Sequence, residues 1–197
     1  MSKVTNILIV GVGGQGTLLA SKLIGAAFVK RGYDVKVSEV HGMSQRGGSV
    51  VTYVRYGDKV HSSLIEKGEA DIIISFEQLE AARWLPYLKP DGVLIVNTQK
   101  IDPMPVIGGT ATYPENILPT IEQMGVRVIA VDALSLALQA GSAKATNVVL
   151  LGVAARFMGL DKDKWLDILR TTVPPKTIAV NEAALELGYA AGAAQGE

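Results

Sequence analysis

The chain has 197 residues, 19 of them acidic and 19 basic, a length that suits one α/β domain and a charge balance that lacks the footprint of a nucleic-acid or anionic-membrane binder. It contains no cysteine and only two histidines, which excludes disulfides, thiolate zinc sites and cysteinyl iron–sulfur ligation. We therefore expect no metal site and no electron-transfer cluster on this chain.

Met1 to Asn6 runs into a strand without signal-peptide features, and no uncharged apolar run approaches the ~18 to 20 residues that cross a bilayer. The expectation is a cytoplasmic protein with no membrane partner. Ile7-Leu8-Ile9-Val10 is a continuous apolar run ending in glycine, the pattern of a strand buried on both faces of a parallel sheet. Gly11-Val12-Gly13-Gly14-Gln15-Gly16 follows. Its glycines at 11, 13 and 16 match G-x-G-x-x-G, in which a helix N-terminus approaches a phosphate or other anion. The same glycines would equally allow tight helix-on-strand packing, and Gln15 stands where a diphosphate wants little side chain.

Thr17 to Arg31 has helical apolar spacing and closes on Lys30-Arg31-Gly32, helix-stop chemistry. Asp34 to Val40 reads as the second strand, which completes half a Rossmann unit and places Glu39 where a dinucleotide ribose would want an acid. His41-Gly-Met-Ser-Gln-Arg-Gly-Gly48 then sets an imidazole, a hydroxyl, an amide and a guanidinium between glycines, directly after a strand. In a parallel sheet this stretch and the glycine turn emerge on one carboxyl edge. His41, Ser44, Gln45 and Arg46 are the candidate catalytic residues. Gly11, Gly13, Gly14, Gln15 and Gly16 are the candidate ligand-binding ones.

Ser49 to Tyr56 is β-branched and aromatic, and Gly57-Asp58 predicts a turn into Lys59 to Ser62, a hairpin inserted into the alternation. His61 has no partner at ligand spacing and reads as a surface residue. Ala70 to Ser75 is a buried strand, Glu77 to Trp84 a helix with Glu77 as a dipole-favoured start, Lys89 to Gly92 a turn, and Val93 to Asn97 a strand. Ser75-Phe76-Glu77 and Asn97-Thr98-Gln99 should line the same edge. Residues 101–112 read as a long connection, then a helix from Asn116, a strand from Val126 to Val131 and a helix from Asp132. Asn147 to Met158 is apolar and Ala-rich, Asp161 caps a helix, and Thr177 to Leu187 is the last one. Gly188 to Glu197 reads as a flexible or partner-bound tail. Hydrophobic residues at 48% with only 6% aromatics, and a mean hydropathy of +0.27, suggest a buried partner surface on the 147–158 helix or that tail.

Glycines 11 to 16, Glu39 to Gly48, Gly68-Glu69-Ala70-Asp71, Phe76-Glu77, Asn147 and Val180-Asn181 together resemble the gamma-type subunits of 2-oxoacid:ferredoxin oxidoreductases over nearly the whole chain. The His-Gly-Met-Ser-Gln form of the second loop resembles the indolepyruvate branch. The resemblance implies a single Rossmann-like three-layer α/β domain over residues 1–197, with a mostly parallel sheet, an inserted antiparallel hairpin and a helical C-terminal part. It implies a complex that oxidatively decarboxylates an aryl 2-oxo acid to an aryl-acetyl-CoA and reduces ferredoxin. Thiamine diphosphate and the iron–sulfur clusters would belong to a larger alpha subunit, CoA would enter that complex, and this chain would be inactive alone. Two readings compete: a free-standing NAD(P)- or FAD-binding oxidoreductase using Gly11, Gly13, Gly16 and Glu39, and a purely structural subunit.

Overall fold

The structure is a computed structural model that describes residues 4–39 and 48–194. Strands Thr5–Val12 (β1), Asp34–Glu39 (β2), Ser49–Gly57 (β3), Ala70–Ser75 (β4), Leu88–Asn97 (β5) and Arg127–Val131 (β6) form one sheet in the order β2-β3-β1-β4-β5-β6. β1, β4, β5 and β6 are parallel neighbours, and β3 lies antiparallel between β1 and β2. The helices are Thr17–Lys30 (α1), Gln78–Trp84 (α2), Met104–Ile107 (α3), Ile117–Gln123 (α4), Ala133–Gln139 (α5), Thr146–Ala155 (α6), Lys162–Thr172 (α7) and Ile178–Ala194 (α8).

The central strands are buried on both faces, as their unbroken apolar runs predict. Ile7, Ile9, Ile72, Ile74 and Ile95 join one core with α1, α6, α7 and α8. Leu8, Val10, Ile73, Leu94 and Val96 join a second with α2 and α4. The result is the expected three-layer, Rossmann-like arrangement with a largely helical C-terminal part. No helix among the described residues is long and apolar enough to cross a membrane.

Four local expectations need correction. The hairpin runs backward: β3 pairs with β2, Asp34 opposite Gly57 and Glu39 opposite Thr52, so residues 40–48 connect it. Lys59 to Ser62 forms no strand, because side chains tie that segment down instead. Val60 N donates to Asp34 Oδ2 at 2.9 Å, and the Arg55 guanidinium donates to the carbonyls of Ser62 at 3.1 Å and Leu64 at 2.7 Å. The insertion of β3 also overturns the half-Rossmann reading. Glu39 is two strands from β1, roughly 9 to 10 Å at ordinary strand spacing. Lys89 to Gly92 is an irregularity inside β5, where the register passes from Ala70 opposite Leu88 to Ile72 opposite Val93. The long connection contains the one-turn helix α3.

The fourth correction concerns the C-terminus. Gly188 to Ala194 is the continuation of α8, packed on α6. A Cβ on Gly188 would stand 2.0 Å from the Val149 carbonyl oxygen, and one on Gly152 would stand 2.3 Å from that of Leu185. Only glycine at these two contacts lets the helix backbones meet so closely. Residues Asn147 to Ala155 of α6 are buried within this chain. The small apolar residues of α6 therefore serve an internal helix pair, with Gly188 and Gly192 of α8 buried in it.

Candidate functional site

The carboxyl ends of β1, β4, β5 and β6 open on one edge of the sheet, and β2, antiparallel to β3 as β1 is, ends on the same edge. His41, Ser44, Gln45 and Arg46 lie outside the described residues, but both flanks of their segment are described. On the entry side, Ser21 Oγ of α1 donates to Glu39 Oε1 at 3.0 Å. On the exit side, Gly13 N donates to Gly48 O at 2.9 Å, and Ser49 stands opposite Val12. The two sequence motifs therefore meet at Gly13 and Gly48.

Gln15 folds back over the turn. Its Oε1 accepts from Val12 N at 2.8 Å, and its Nε2 donates to Phe76 O at 3.1 Å and Gln99 Oε1 at 3.4 Å. Asn97 extends the same network: its Nδ2 donates to Phe76 O at 3.2 Å and Gln99 Oε1 at 3.3 Å, and its Oδ1 accepts from Ala133 N at 3.1 Å. Carboxamides thus join the ends of β1, β4, β5 and β6, as the strand-end positions of Phe76 and Gln99 predicted. A Cβ on Gly11 would meet Gln15 Oε1 at 2.8 Å, so Gly11 makes room for a glutamine rather than for a diphosphate.

α1 begins at Gly16, whose φ of 83° is left-handed, with no side-chain cap and no acid in its first turn. Beside it lies a cleft of about 330 Å³, whose walls include Gly14, Gln15, Gly16, Gln99, Lys144 and Thr146. Thr146 opens α6 directly after a one-turn helix at Ala143–Ala145 whose start Ser142 caps, so the start of α1 and the Lys144 side chain border one space. No acidic residue is among the described lining residues. The uncapped start of α1 and a bordering cation together favour an anion. Asn147 ties the two helices, its Nδ2 donating to Gly16 O at 3.1 Å, while its buried Oδ1 has no partner among the described residues.

Two acids stand on the first turn of α2. Glu77 is the N-cap: its carboxylate accepts from Glu80 N at 2.9 Å, from Ile101 N at 3.1 Å and from the Tyr113 hydroxyl. Its place as a helix-start carboxylate is as expected, but it is 1% exposed, far more enclosed than that role requires. Burial, and then the bond to Glu77, push the Tyr113 phenol above its ordinary value. Glu80, 4% exposed, accepts from the Ser49 hydroxyl and from Arg83 Nε at 3.1 Å. Residues Gly48, Ser49, Glu77, Glu80, Arg83 and Met104 border a second, smaller cleft of about 230 Å³.

His61 is exposed, as its isolation suggested. Lys144, Thr146 and the Ser49–Glu80 pair were not singled out by sequence reasoning. Lys144 sits in a short connection with no motif around it, and only the docking of α6 against α1 brings it to the glycine turn.

The chain's similarities agree with this geometry. A family profile described as pyruvate ferredoxin/flavodoxin oxidoreductase matches residues 6–191. Indolepyruvate oxidoreductase subunit IorB of Thermococcus kodakarensis is 46% identical over 191 residues, covering 94% of this chain and 95% of that one. The oxoacid ferredoxin oxidoreductase gamma subunit of Geobacter sulfurreducens superposes with a TM-score of 0.72 at 23% identity, over 96% of this chain and 99% of that one. The 2-oxoglutarate:ferredoxin oxidoreductase of Magnetococcus marinus, solved with 2-oxoglutarate, coenzyme A and succinyl-CoA bound, superposes with a TM-score of 0.76 at 20% identity, over 98% of this chain and 32% of that one. With the profile matched over nearly the whole chain and a relative 46% identical across 94% of it, the chain belongs to the pyruvate ferredoxin/flavodoxin oxidoreductase family.

Proposed function

We propose that this chain is the small, gamma-type subunit of an indolepyruvate:ferredoxin oxidoreductase. The complete enzyme would take an aryl 2-oxo acid, release its carboxylate as CO2, pass the electron pair to ferredoxin and transfer the acyl group to CoA. Relatives that share 40 to 46% identity and carry that substrate in their names support the assignment. The observation that carries it is the single edge on which the glycine turn, the flanks of the 41–48 stretch and the Lys144 cleft converge.

This chain has no cysteine to ligate a cluster, and its edge offers amides and cations suited to anions rather than a metal. As the family resemblance implies, thiamine diphosphate and the iron–sulfur clusters would sit on a larger alpha subunit, where the thiamine group would supply the electron sink for decarboxylation. The residues here bind and orient. Arg46 presents a planar fork for a 2-oxo acid carboxylate or a CoA phosphate. His41, Ser44 and Gln45 add neutral or titratable donors beside it. Gly14, Gln15 and Gly16, with Lys144 in the same cleft, form the anion-binding wall of this chain. The protein is cytoplasmic in this reading.

The dinucleotide-oxidoreductase alternative fits less well, because Gln15 fills the crook of the turn and Glu39 stands beyond β3 with its carboxylate on Ser21. The test is untagged purification from the native source, with mass measurement of what accompanies the chain and turnover with indolepyruvate, pyruvate and 2-oxoglutarate. A thiamine-containing large subunit and a preference for the aryl substrate are expected. A chain that purifies alone as a monomer would remove the assignment.

A further inference from the structure

The carboxamides of the functional edge fix one another's orientation, and one amino group is left over. A carboxamide can be placed either way round until a partner that only donates, or only accepts, decides it. Val12 N can only donate and Phe76 O can only accept, so Gln15 turns its oxygen to the first, at 2.8 Å, and its nitrogen to the second, at 3.1 Å. Ala133 N and Phe76 O decide Asn97 in the same way, at 3.1 and 3.2 Å. Both amides then meet the side chain of Gln99 with a nitrogen, Gln15 at 3.4 Å and Asn97 at 3.3 Å. One atom of Gln99 receives both donors, so it is the oxygen. Its Nε2 is left with N–H groups that have no partner among the described residues.

The backbone is held at this point as well: Gln99 O accepts from Gln78 N at 3.2 Å, and Thr98 N donates to Val131 O at 3.0 Å. Gln99 is half-buried and borders the cleft of about 330 Å³ that Gly16 and Lys144 also border, with no acid among the described lining residues. A donor that a ligand covers without pairing costs free energy, so whatever fills this cleft must offer an acceptor there. We propose that Gln99 is a binding residue of the cleft: its Nε2 gives a neutral pair of N–H donors to an oxygen of the anion, beside the charge of Lys144. Gln15 and Asn97 are positioning residues that hold Oε1 and so leave that amino group to the ligand. The ligand chemistry is an oxyanion, the carboxylate of a 2-oxo acid or a phosphate of CoA, and the inference rests on the function assigned above, in which this cleft takes the anion. A donor of fixed direction selects by geometry, where an ammonium group on a flexible stem acts as a point charge.

Gln99→Glu separates this role from a structural one. A glutamate keeps an oxygen for Gln15 and Asn97, and a charged acceptor strengthens both bonds, but it replaces the free amino group by a second oxygen. The full-length chain should therefore melt within about 3 °C of the wild type, while its binding of inorganic pyrophosphate, followed by calorimetry, weakens at least about tenfold. Gln99→Met removes the donor without adding charge. It should weaken pyrophosphate binding about fivefold and, offering no oxygen to the two amides, lower Tm. In the reconstituted two-subunit enzyme Gln99→Glu should raise one KM about tenfold or more, and Gln99→Met about fivefold, with kcat within about twofold. The affected KM is that of indolepyruvate if the carboxylate is bound, and that of CoA if a phosphate is. Pyrophosphate that binds the wild type and Gln99→Glu equally, or the wild type not at all, overturns the proposal. So does a lowered Tm in Gln99→Met with both KM values unmoved in both variants, the signature of a merely structural amide. If no thiamine-containing partner supports turnover, the function assigned above falls, and the pyrophosphate titration still decides the role of Gln99.

Discussion

Glycines at the β1–α1 turn and glycines between α6 and α8 do opposite work in the same molecule. Gly152 and Gly188 are absent side chains at a backbone-to-backbone contact, and nothing but protein fits between the two helices. Gly16 instead bends the chain through a left-handed φ so that α1 starts uncapped beside a cleft. One set excludes every other molecule; the other leaves amides, an ammonium group and carboxamides facing open space. Composition merges the two, since both appear only as a high count of small residues. The difference teaches that small-residue enrichment marks close approach, and that only the surroundings say whether the approaching group is a neighbouring helix or a ligand.

That comparison can be broken at either end. Gly188→Val should have the largest effect, because its Cβ falls inside the van der Waals shell of Val149 and backbone cannot move aside as a flexible side chain could. A loss of about 3 kcal/mol, or ~6 to 12 °C in Tm by circular dichroism, is the expected outcome. An unshifted melt would mean that α8 does not seat on α6 as described.

At the functional edge, Arg46→Ala should leave folding and assembly intact and lower kcat/KM about 10- to 150-fold, the ~1.5 to 3 kcal/mol of a charge-assisted contact. Steady-state turnover of the reconstituted enzyme, with aryl pyruvate and CoA varied separately beside sizing of the complex, checks it. If both values stay within about twofold, Arg46 holds no anion; if the variant fails to assemble, the stretch is an interface.

Gly16→Ala sits between the two classes. A Cβ there must adopt a left-handed backbone and would approach Asn147 Nδ2 to 2.7 Å, so ~1 to 2 kcal/mol of destabilisation is expected. Unlike Gly188→Val it should also weaken substrate binding, and a melt paired with KM values separates a purely structural turn from a working one. The smallest effect is a null result. Calorimetric titration of the isolated chain with NAD, NADP and FAD should show no dissociation constant tighter than ~10 μM, roughly 7 kcal/mol. Tighter binding would restore the dinucleotide reading that Gln15 argues against.

Much of this was legible from the residues in order. Continuous apolar runs such as Ile7 to Val10 and Val93 to Val96 identified strands covered on both faces, because burial on both sides removes the alternation of a half-exposed sheet. Glycine after a strand, cations before Gly32 and the strand-end stretches Ser75 to Glu77 and Asn97 to Gln99 located the edge. The partner of β3 was not legible. Ser49 to Tyr56 has the β-branched and aromatic content of a strand whichever neighbour it ladders with, and the local Gly57-Asp58 turn pointed to the wrong one. The tail failed for a related reason, since Ala and Gly have little hydrophobic area of their own and signal a helix only when another helix is close enough to touch.

The sequence by itself determined the buried strands and most of the helices, the α/β class, the lack of cysteine cluster ligands and the two motifs, because these depend on local periodicity, backbone freedom and residue chemistry. The tertiary structure alone decided that β3 slots between β1 and β2, that α6 and α8 close on each other, and that Lys144 and Glu80 reach the functional edge. Each of these is a contact between segments distant in the chain, set by how two cores pack on one sheet, and no short stretch of residues carries that information.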